Sequence, residues 1–174
     1  FGTESYDAGV IAARLLTDKI SSTSDILMAR IIHSGKNDSN QGKNRREGFC
    51  HYLKETGFTG NLHEVELKIN DSVYNFIKLD EIFEANTTIE GGIIFNSTCY
   101  ILGNYLKARG MQRVKLVGYD LIERNTQLLF DGVITALVAQ RPERQGYDGI
   151  KSLCNHLLFK HCLLYTSDAA DELD

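Results

Sequence analysis

Residues 91–120, GGIIFNSTCYILGNYLKARGMQRVKLVGYD, decide the fold, because their pattern predicts a strand, a helix and a second strand. An apolar run ends at Asn96, a helical run closes on Gly110, and a second β-rich run ends at Asp120. Two parallel strands joined by a helix emerge at the same edge of their sheet. We therefore expect Asn96 and Asp120 to lie together at the carboxyl ends of neighbouring strands, where open α/β sheets bind ligands.

The rest of the chain repeats this alternation of strands and helices. Helical patterns cover residues 3–19, 44–56 and 123–130, another begins at Asp71 or Ser72, and strand patterns cover residues 26–33, 63–69 and 132–139. Five strands alternating with helices predict an α/β fold, a three-layer parallel sheet with helices on both faces. A final helix, residues 142–160, opens at the only proline.

The spacing of apolar residues also predicts which face of each helix is buried. The predicted buried sets are Ala8, Ile11, Ala12 and Leu15; Phe49, Tyr52, Leu53 and the Thr56 methyl group; Val73, Phe76, Ile77 and Phe83; and Tyr147, Ile150, Cys154, Leu157 and Leu158.

Length and composition place the chain among globular proteins of one domain. The 174 residues are 43% apolar and 24% charged, and no apolar run approaches the ~20 residues of a membrane span. The four cysteines form no CxxC pair, and no histidine lies at zinc-ligand spacing. Scattered thiols suit a reducing compartment, so the expected location is the cytoplasm.

The last residues, 162–174, switch abruptly from a helical pattern to a small-residue acidic tail, CLLYTSDAADELD. This tail resembles a translated transposase adapter from sequencing-library preparation, and we expect it to be an artefact outside the fold. It holds four of the 23 acidic residues and none of the 19 basic ones. Without it 19 acidic residues face 19 basic ones, so charge supports neither acidic partners nor nucleic acid.

Four polar side chains are expected at the carboxyl edge of the sheet: Arg45 from the helix after the first strand, Asn96, Asp120 and Gln140. An aspartate accepts hydrogen bonds from two vicinal hydroxyl groups, an arginine donates in a fork, and an asparagine does both. The set therefore suits a neutral polyhydroxylated ligand, whereas a phosphate site would need a glycine-rich turn and unopposed positive charge.

Each of these residues also has a purely structural interpretation. Asn96 can cap the following helix, and Asp120 can occupy a turn or cap. Arg45 stands beside Arg46 at a helix start, where arginine is most often solvated, and Gln140 can be an ordinary loop residue. Their common position at one sheet edge favours the binding hypothesis over these alternatives.

Catalytic motifs are missing from the sequence. It contains no GxSxG, HExxH or GxxxxGK[ST] segment, and its five histidines are spread over different elements. Tyr119 beside Asp120 forms no recognisable dyad. We therefore predict no catalytic residues, no metal and no cofactor.

Five segments in this order and spacing, SYDAGVIAARLL, NRREGF, GGIIFN, VKLVGYD and AQRPERQGYDGI, resemble the lactose- and galactose-repressor family, and more broadly the type I periplasmic-binding-protein fold. The resemblance covers residues 1 to about 160. It implies two α/β lobes with a sugar-like effector between them. Residues 1–139 would be most of the C-terminal lobe, 140–161 a hinge crossover and a helix returning to the other lobe, and 162–174 the artefact.

The resemblance assigns effector contacts to the same four residues, Arg45, Asn96, Asp120 and Gln140. Two positions depart from the family pattern, since Ser97 stands where an aspartate is common and Leu121 where a second acid often follows. The implied partners are a small-molecule effector, operator DNA bound through a helix–turn–helix headpiece, and a second copy in a homodimer, without a membrane.

Three functions stay open at this stage. The first is the effector-binding lobe of a sugar-responsive transcription regulator. The second is a periplasmic sugar-binding protein or the sensor domain of a membrane receptor, which an upstream signal peptide or membrane span would indicate. The third is an α/β enzyme, which sugar turnover by the full-length protein would indicate.

Overall fold

The computed structural model describes residues 5–32, 39–139, 146–147, 150–151 and 153–154. Within them five parallel strands form one sheet in the order β2-β1-β3-β4-β5, and five helices connect or precede the strands. The elements are α1 (Ser5–Thr17), β1 (Asp25–Ile31), α2 (Asn40–Glu55), β2 (Leu62–Leu67), α3 (Ser72–Ala85), β3 (Ile89–Ile94), α4 (Tyr100–Ala108), β4 (Lys115–Tyr119), α5 (Glu123–Phe130) and β5 (Ile134–Val138).

The core consists of two apolar layers, one on each face of the sheet. Helices α1 and α2 pack with Ile26, Met28 and Ile93 on one face. Helices α3, α4 and α5 pack on the other face, against Leu27, Ala29 and further strand residues. Because β1 contributes to both layers, it is a central strand buried on both sides. The predicted three-layer parallel α/β fold is confirmed.

The strand order creates a crevice between β1 and β3. After β1 the chain runs outward through α2 to β2, and it then returns through α3 on the opposite face to β3. The connections that follow β1 and β3 therefore leave the sheet toward opposite faces. Such a switch point is where open α/β sheets form their ligand crevice.

The start of α2 was predicted wrongly. The helix begins at Asn40 rather than at residue 44, because the Ser39 hydroxyl caps it by accepting from the Gly42 amide at 3.2 Å. Thr56, whose methyl was predicted to be buried, is exposed, and its hydroxyl donates to the Tyr52 carbonyl instead. Gly57 ends the helix with a φ of 70°, as its position predicted.

The predicted buried faces of α1 and α3 were partly wrong. Ile11 is 45% exposed in α1, and Val73 and Ile77 are 70% and 54% exposed in α3. The inner face of α3 is centred on Asn75, which is 3% exposed. Its carboxamide exchanges two hydrogen bonds of 2.7 Å with the Lys68 backbone, and this polar tie rotates the apolar residues at 73 and 77 outward.

The final helix is described at only six positions, and each of them is helical. Tyr147 and Ile150 are 65% and 68% exposed, and Cys154 is exposed as well, so these three were wrongly predicted to be buried. No other element among the described residues covers them. Leu157 and Leu158, Gln140 and the tail 162–174 lie outside the described residues, and the boundaries 1–139, 140–161 and 162–174 stay predictions.

Candidate functional site at the carboxyl edge of the sheet

Arg45 is the centre of the candidate site. It lies on α2, it is 2% exposed, and its side chain reaches the ends of β3 and β4. One guanidinium nitrogen donates to the Phe95 carbonyl at 3.0 Å, and the guanidinium carbon stands 4.2 Å from the centroid of the Tyr119 ring. The prediction that Arg45 reaches this edge agrees with its position, and the alternative of a solvated surface arginine is wrong.

Two glycines allow α2 to bring Arg45 this close. A Cβ atom on Gly9 of α1 would stand 1.9 Å from the Arg45 carbonyl oxygen, and one on Gly48 would stand 2.1 Å from the Tyr6 carbonyl oxygen. Glycine at both positions lets the two helix backbones touch, which sets the depth of α2 over the sheet. The neighbouring Arg46 points outward and pairs with Glu64.

Burial leaves the Arg45 guanidinium incompletely paired. Its Nε atom is buried and has no hydrogen-bond partner among the residues that the structure describes. Burial lowers the pKa of Arg45, and the negative charge of the nearby Asp120 opposes this shift. A buried donor without a partner is costly in a folded protein, so we expect this Nε to bond to a group other than the described residues.

Asp120 follows β4 in a strained conformation. Its φ of 67° makes it the only residue other than glycine with a positive φ within the described ranges. Its amide donates to the Val138 carbonyl at 3.0 Å, and this bond joins the carboxyl end of β4 to that of the parallel strand β5. Residues other than glycine that adopt a left-handed backbone are found most often at functional sites, although aspartate tolerates this conformation better than most residues.

Asn96 follows β3 and builds a tight turn. Its carboxamide oxygen accepts from the Thr98 amide at 2.9 Å and from the Thr98 hydroxyl at 2.5 Å. Asn96 therefore has a structural role, as its alternative interpretation predicted. It closes a turn before the helix rather than capping the helix itself, since α4 begins at Tyr100. The Asn96 amide nitrogen is the group that this residue can offer to a ligand.

A cavity of about 750 Å³ opens at the crevice between β1 and β3. Asn96 lines it, together with Ala29 and Ile31 of β1, Ile94 of β3 and the first turns of α2. Arg45 and Asp120 are not among its lining residues. Arg45 is buried beside this cavity, because it donates to the carbonyl of Phe95, which lines it, so Arg45 and the cavity are adjacent parts of one edge.

The structure thus brings together three of the four predicted residues, and the fourth, Gln140, lies outside the described residues. Two further residues at this edge were missed. Tyr119 supplies the ring under Arg45, and Asn125 on α5 binds the turns of both β3 and β4. An asparagine inside a predicted helix was the available signal for Asn125, because it is a poor helix former.

The described residues show neither a metal-binding cluster nor a membrane-spanning helix. They contain no group of three or more His, Cys, Asp or Glu side chains arranged to hold a metal ion. None of their helices is long and apolar enough to cross a membrane.

Several solved structures resemble this chain over most of its length. A protein described as a LacI transcriptional regulator from Bacteroides fragilis is 36% identical with a TM-score of 0.80, and the match covers 98% of this chain and 62% of that one. A carbohydrate transporter solute-binding protein from Agrobacterium radiobacter, in complex with D-arabinose, is 25% identical with a TM-score of 0.69, covering 88% and 53%.

A third structure is a sugar-binding protein of a sugar ABC transporter from Bacillus halodurans. It is 17% identical with a TM-score of 0.73, covers 88% of this chain and 52% of its own, and shows a common fold alone. The chain thus spans less than two thirds of each of these proteins. No curated protein sequence matches it. The family model of the periplasmic binding protein domain matches residues 1–161, and the chain therefore belongs to that family.

Proposed function

We propose that this chain is most of the C-terminal lobe of an effector-binding domain in a cytoplasmic, sugar-responsive transcription regulator. The regulator acts as a homodimer and binds operator DNA through a headpiece outside this chain. The effector is a sugar or a similar polyhydroxylated small molecule, and it contacts Arg45, Asn96, Asp120 and Gln140 without being turned over.

The binding proposal rests on the surroundings of Arg45 at the carboxyl edge of the sheet, where Tyr119 and Asp120 lie beside it. A buried guanidinium, whose Nε has no partner in the described part of the chain, stands between the ends of two strands, beside a carboxylate on strained backbone. A sugar hydroxyl accepts a hydrogen bond from the arginine and donates one to Asp120, so it completes both groups at once. A phosphate would instead be repelled by Asp120.

The choice of a regulator is supported by the 36% identity to the Bacteroides fragilis protein described as a LacI transcriptional regulator. Free cysteines also favour a reducing compartment. Cys50, Cys99 and Cys154 are all free, and burial raises the pKa of the Cys99 thiol to about 12, which makes it an inert core group. Effector binding would then bias the closure of the two lobes and, through it, the headpieces.

The second candidate is a periplasmic sugar-binding protein or the sensor domain of a membrane receptor. The transporter proteins from Agrobacterium radiobacter and Bacillus halodurans, which share the fold, favour it. The same four residues would hold the sugar, and only the consequence of binding would differ, transport or signalling instead of a change in DNA binding.

Binding is tested with the full-length protein encoded by the gene. Its melting temperature is measured with a panel of monosaccharides that includes D-arabinose, and Arg45→Met is the matched variant. We expect at least one sugar to raise the melting temperature of the unsubstituted protein and to leave that of the variant unchanged. A panel without any shift in the unsubstituted protein would overturn the sugar proposal.

Regulator and carrier are separated by the flanking genomic DNA. A helix–turn–helix segment about one lobe upstream supports the regulator, and a signal peptide or membrane span there supports the second candidate. For a regulator, the full-length protein should also shift a DNA fragment from its own promoter in a gel. The sugar found in the panel should change that shift.

A further inference from the structure

We infer that Asn125 is the positioning residue of the effector site, because its buried side chain fastens together the turns that carry Asn96 and Asp120. This role rests on the proposed effector-binding function of those two residues. Asn125 is 0% exposed, and both polar atoms of its carboxamide already bond to backbone groups, so it has no free group to offer an effector. It acts through the two residues that have such groups.

The contacts of Asn125 use both ends of its carboxamide. The nitrogen Nδ2 lies 2.9 Å from the Ser97 carbonyl oxygen, 3.0 Å from that of Tyr119 and 3.1 Å from that of Asp120, and it donates to this group of three. The oxygen Oδ1 accepts from the Tyr100 amide at 3.0 Å. One side chain therefore links the exit of β3, the exit of β4 and the start of α4.

Both linked turns have irregular backbone that needs such support. Ser97 lies inside the turn that Asn96 closes onto Thr98, and Asp120 has the strained φ of 67°. Buried carbonyl oxygens without a donor are costly, and the Asn125 amide supplies that donor at both turns. The separation between the Asn96 and Asp120 side chains is thus set by a third residue, on α5.

Local helix capping does not account for these contacts. Asn125 lies inside α5, which begins at Glu123, and its backbone amide already donates to the Ile122 carbonyl. Its side chain bonds to backbone that precedes the helix, and two of its partners lie in other elements, Ser97 in the β3–α4 connection and Tyr100 at the start of α4. An asparagine in a helix usually costs stability, so its position here reflects the tertiary contacts.

Asn125→Asp in the full-length protein tests this role, because aspartate keeps the shape and the acceptor but replaces the donor nitrogen with oxygen. That oxygen would face three carbonyl oxygens. Asp25→Asn is the control, since it is an equally isosteric change of a buried residue at the opposite end of the sheet. The probe is D-arabinose, or the panel sugar that binds the unsubstituted protein most tightly, and its affinity is measured by calorimetry.

We expect Asn125→Asp to weaken sugar binding at least about tenfold, the effect of one lost hydrogen bond to a buried group, and Asp25→Asn to leave affinity unchanged. The nuclear magnetic resonance signals of the Thr98 and Asp120 backbone amides should move in the first variant and stay in place in the second. If aspartate prevents folding, Asn125→Ala removes the donor without adding a charge.

Unchanged affinity with unchanged Thr98 and Asp120 signals would overturn the positioning role. So would the failure of both Asn125 variants to fold while the control folds, because Asn125 would then belong to the stability of the core. If no sugar binds the unsubstituted protein, the effector function fails by itself. The amide signals still decide whether Asn125 holds the two turns, and unmoved signals overturn that inference as well.

Discussion

The two ends of the sheet each bury one charged side chain, and the surroundings of these two side chains differ. Asp25, at the amino end of β1, is 5% exposed and accepts hydrogen bonds from Asn61, His63 and Thr88. Arg45, at the carboxyl end, donates to one carbonyl oxygen and has a buried Nε without a partner among the described residues.

We attribute this difference to two roles, a structural charge at Asp25 and, at Arg45, a charge that we propose for binding. Hydrogen bonds, above all from the Thr88 hydroxyl, lower the pKa of Asp25 to about 2, so its carboxylate is stabilised by the folded chain. Burial disfavours the charged form of Arg45 and so lowers its pKa. In a folded protein a buried charge is paired by groups of the chain itself or by a bound ligand.

The largest expected effect is the loss of stability when Asp25, whose hydrogen bonds are supplied by the chain itself, is replaced. Asp25→Ala leaves the part-buried hydrogen-bond donors of Asn61 and Thr88 without their acceptor. We expect the free energy of unfolding to fall by about 3 kcal/mol in urea titrations. Sugar affinity should stay within about twofold in the fraction that folds. A larger loss of affinity would mean that the two ends are coupled.

The next effect comes from Arg45→Met, which replaces the incompletely paired charge with an apolar side chain of similar length. We expect sugar affinity to fall about a hundredfold by calorimetry, because a charged donor to the effector is lost. The free energy of unfolding should change by less than about 1 kcal/mol, since removing an incompletely paired buried charge offsets the lost contacts. A loss of stability as large as that of Asp25→Ala would place Arg45 among the structural charges.

A smaller effect separates strain from charge at Asp120. Asp120→Ala and Asp120→Gly both remove the carboxylate, and both should lose about 1–3 kcal/mol of effector affinity in calorimetry. Only alanine resists the φ of 67°, so it should unfold about 1 kcal/mol more readily than glycine. Equal stability of the two variants would show that the backbone at Asp120 is unstrained, and unchanged affinity would remove Asp120 from the site.

The smallest expected effect is a dependence of stability on acid. Because the folded protein lowers the pKa of Asp25 from 3.8 to about 2, its contribution is complete above about pH 4. The contribution is lost as the pH falls through about 2. Urea titrations between these values should show a steeper loss for the unsubstituted protein than for Asp25→Asn. Parallel curves for the two proteins would contradict the assignment of this acid dependence to Asp25.

The chain order of β and α patterns sufficed to predict the fold, because parallel strands joined by helices have few possible arrangements. Asn96 and Asp120 were predictable for the same reason, since they end neighbouring strands. The outward rotation of Val73 and Ile77 was not, because it depends on the tie between Asn75 and Lys68. Local periodicity does not contain that contact.

The deeper layer of the site was likewise beyond sequence patterns. The ring of Tyr119 under Arg45 and the carboxamide of Asn125 under the two turns are contacts between distant elements. Asn125 and Ser97 lie 28 residues apart in the chain. A pattern within one helix or strand indicates burial, but it does not show which backbone groups a buried amide will find.

The most direct test of the central claim is a crystal structure of the full-length protein with the panel sugar that raises its melting temperature most. We expect sugar hydroxyl groups within hydrogen-bond distance of the Arg45 guanidinium and the Asp120 carboxylate, at the carboxyl ends of β3 and β4. A sugar bound elsewhere, with Arg45 Nε still unpartnered, would contradict it.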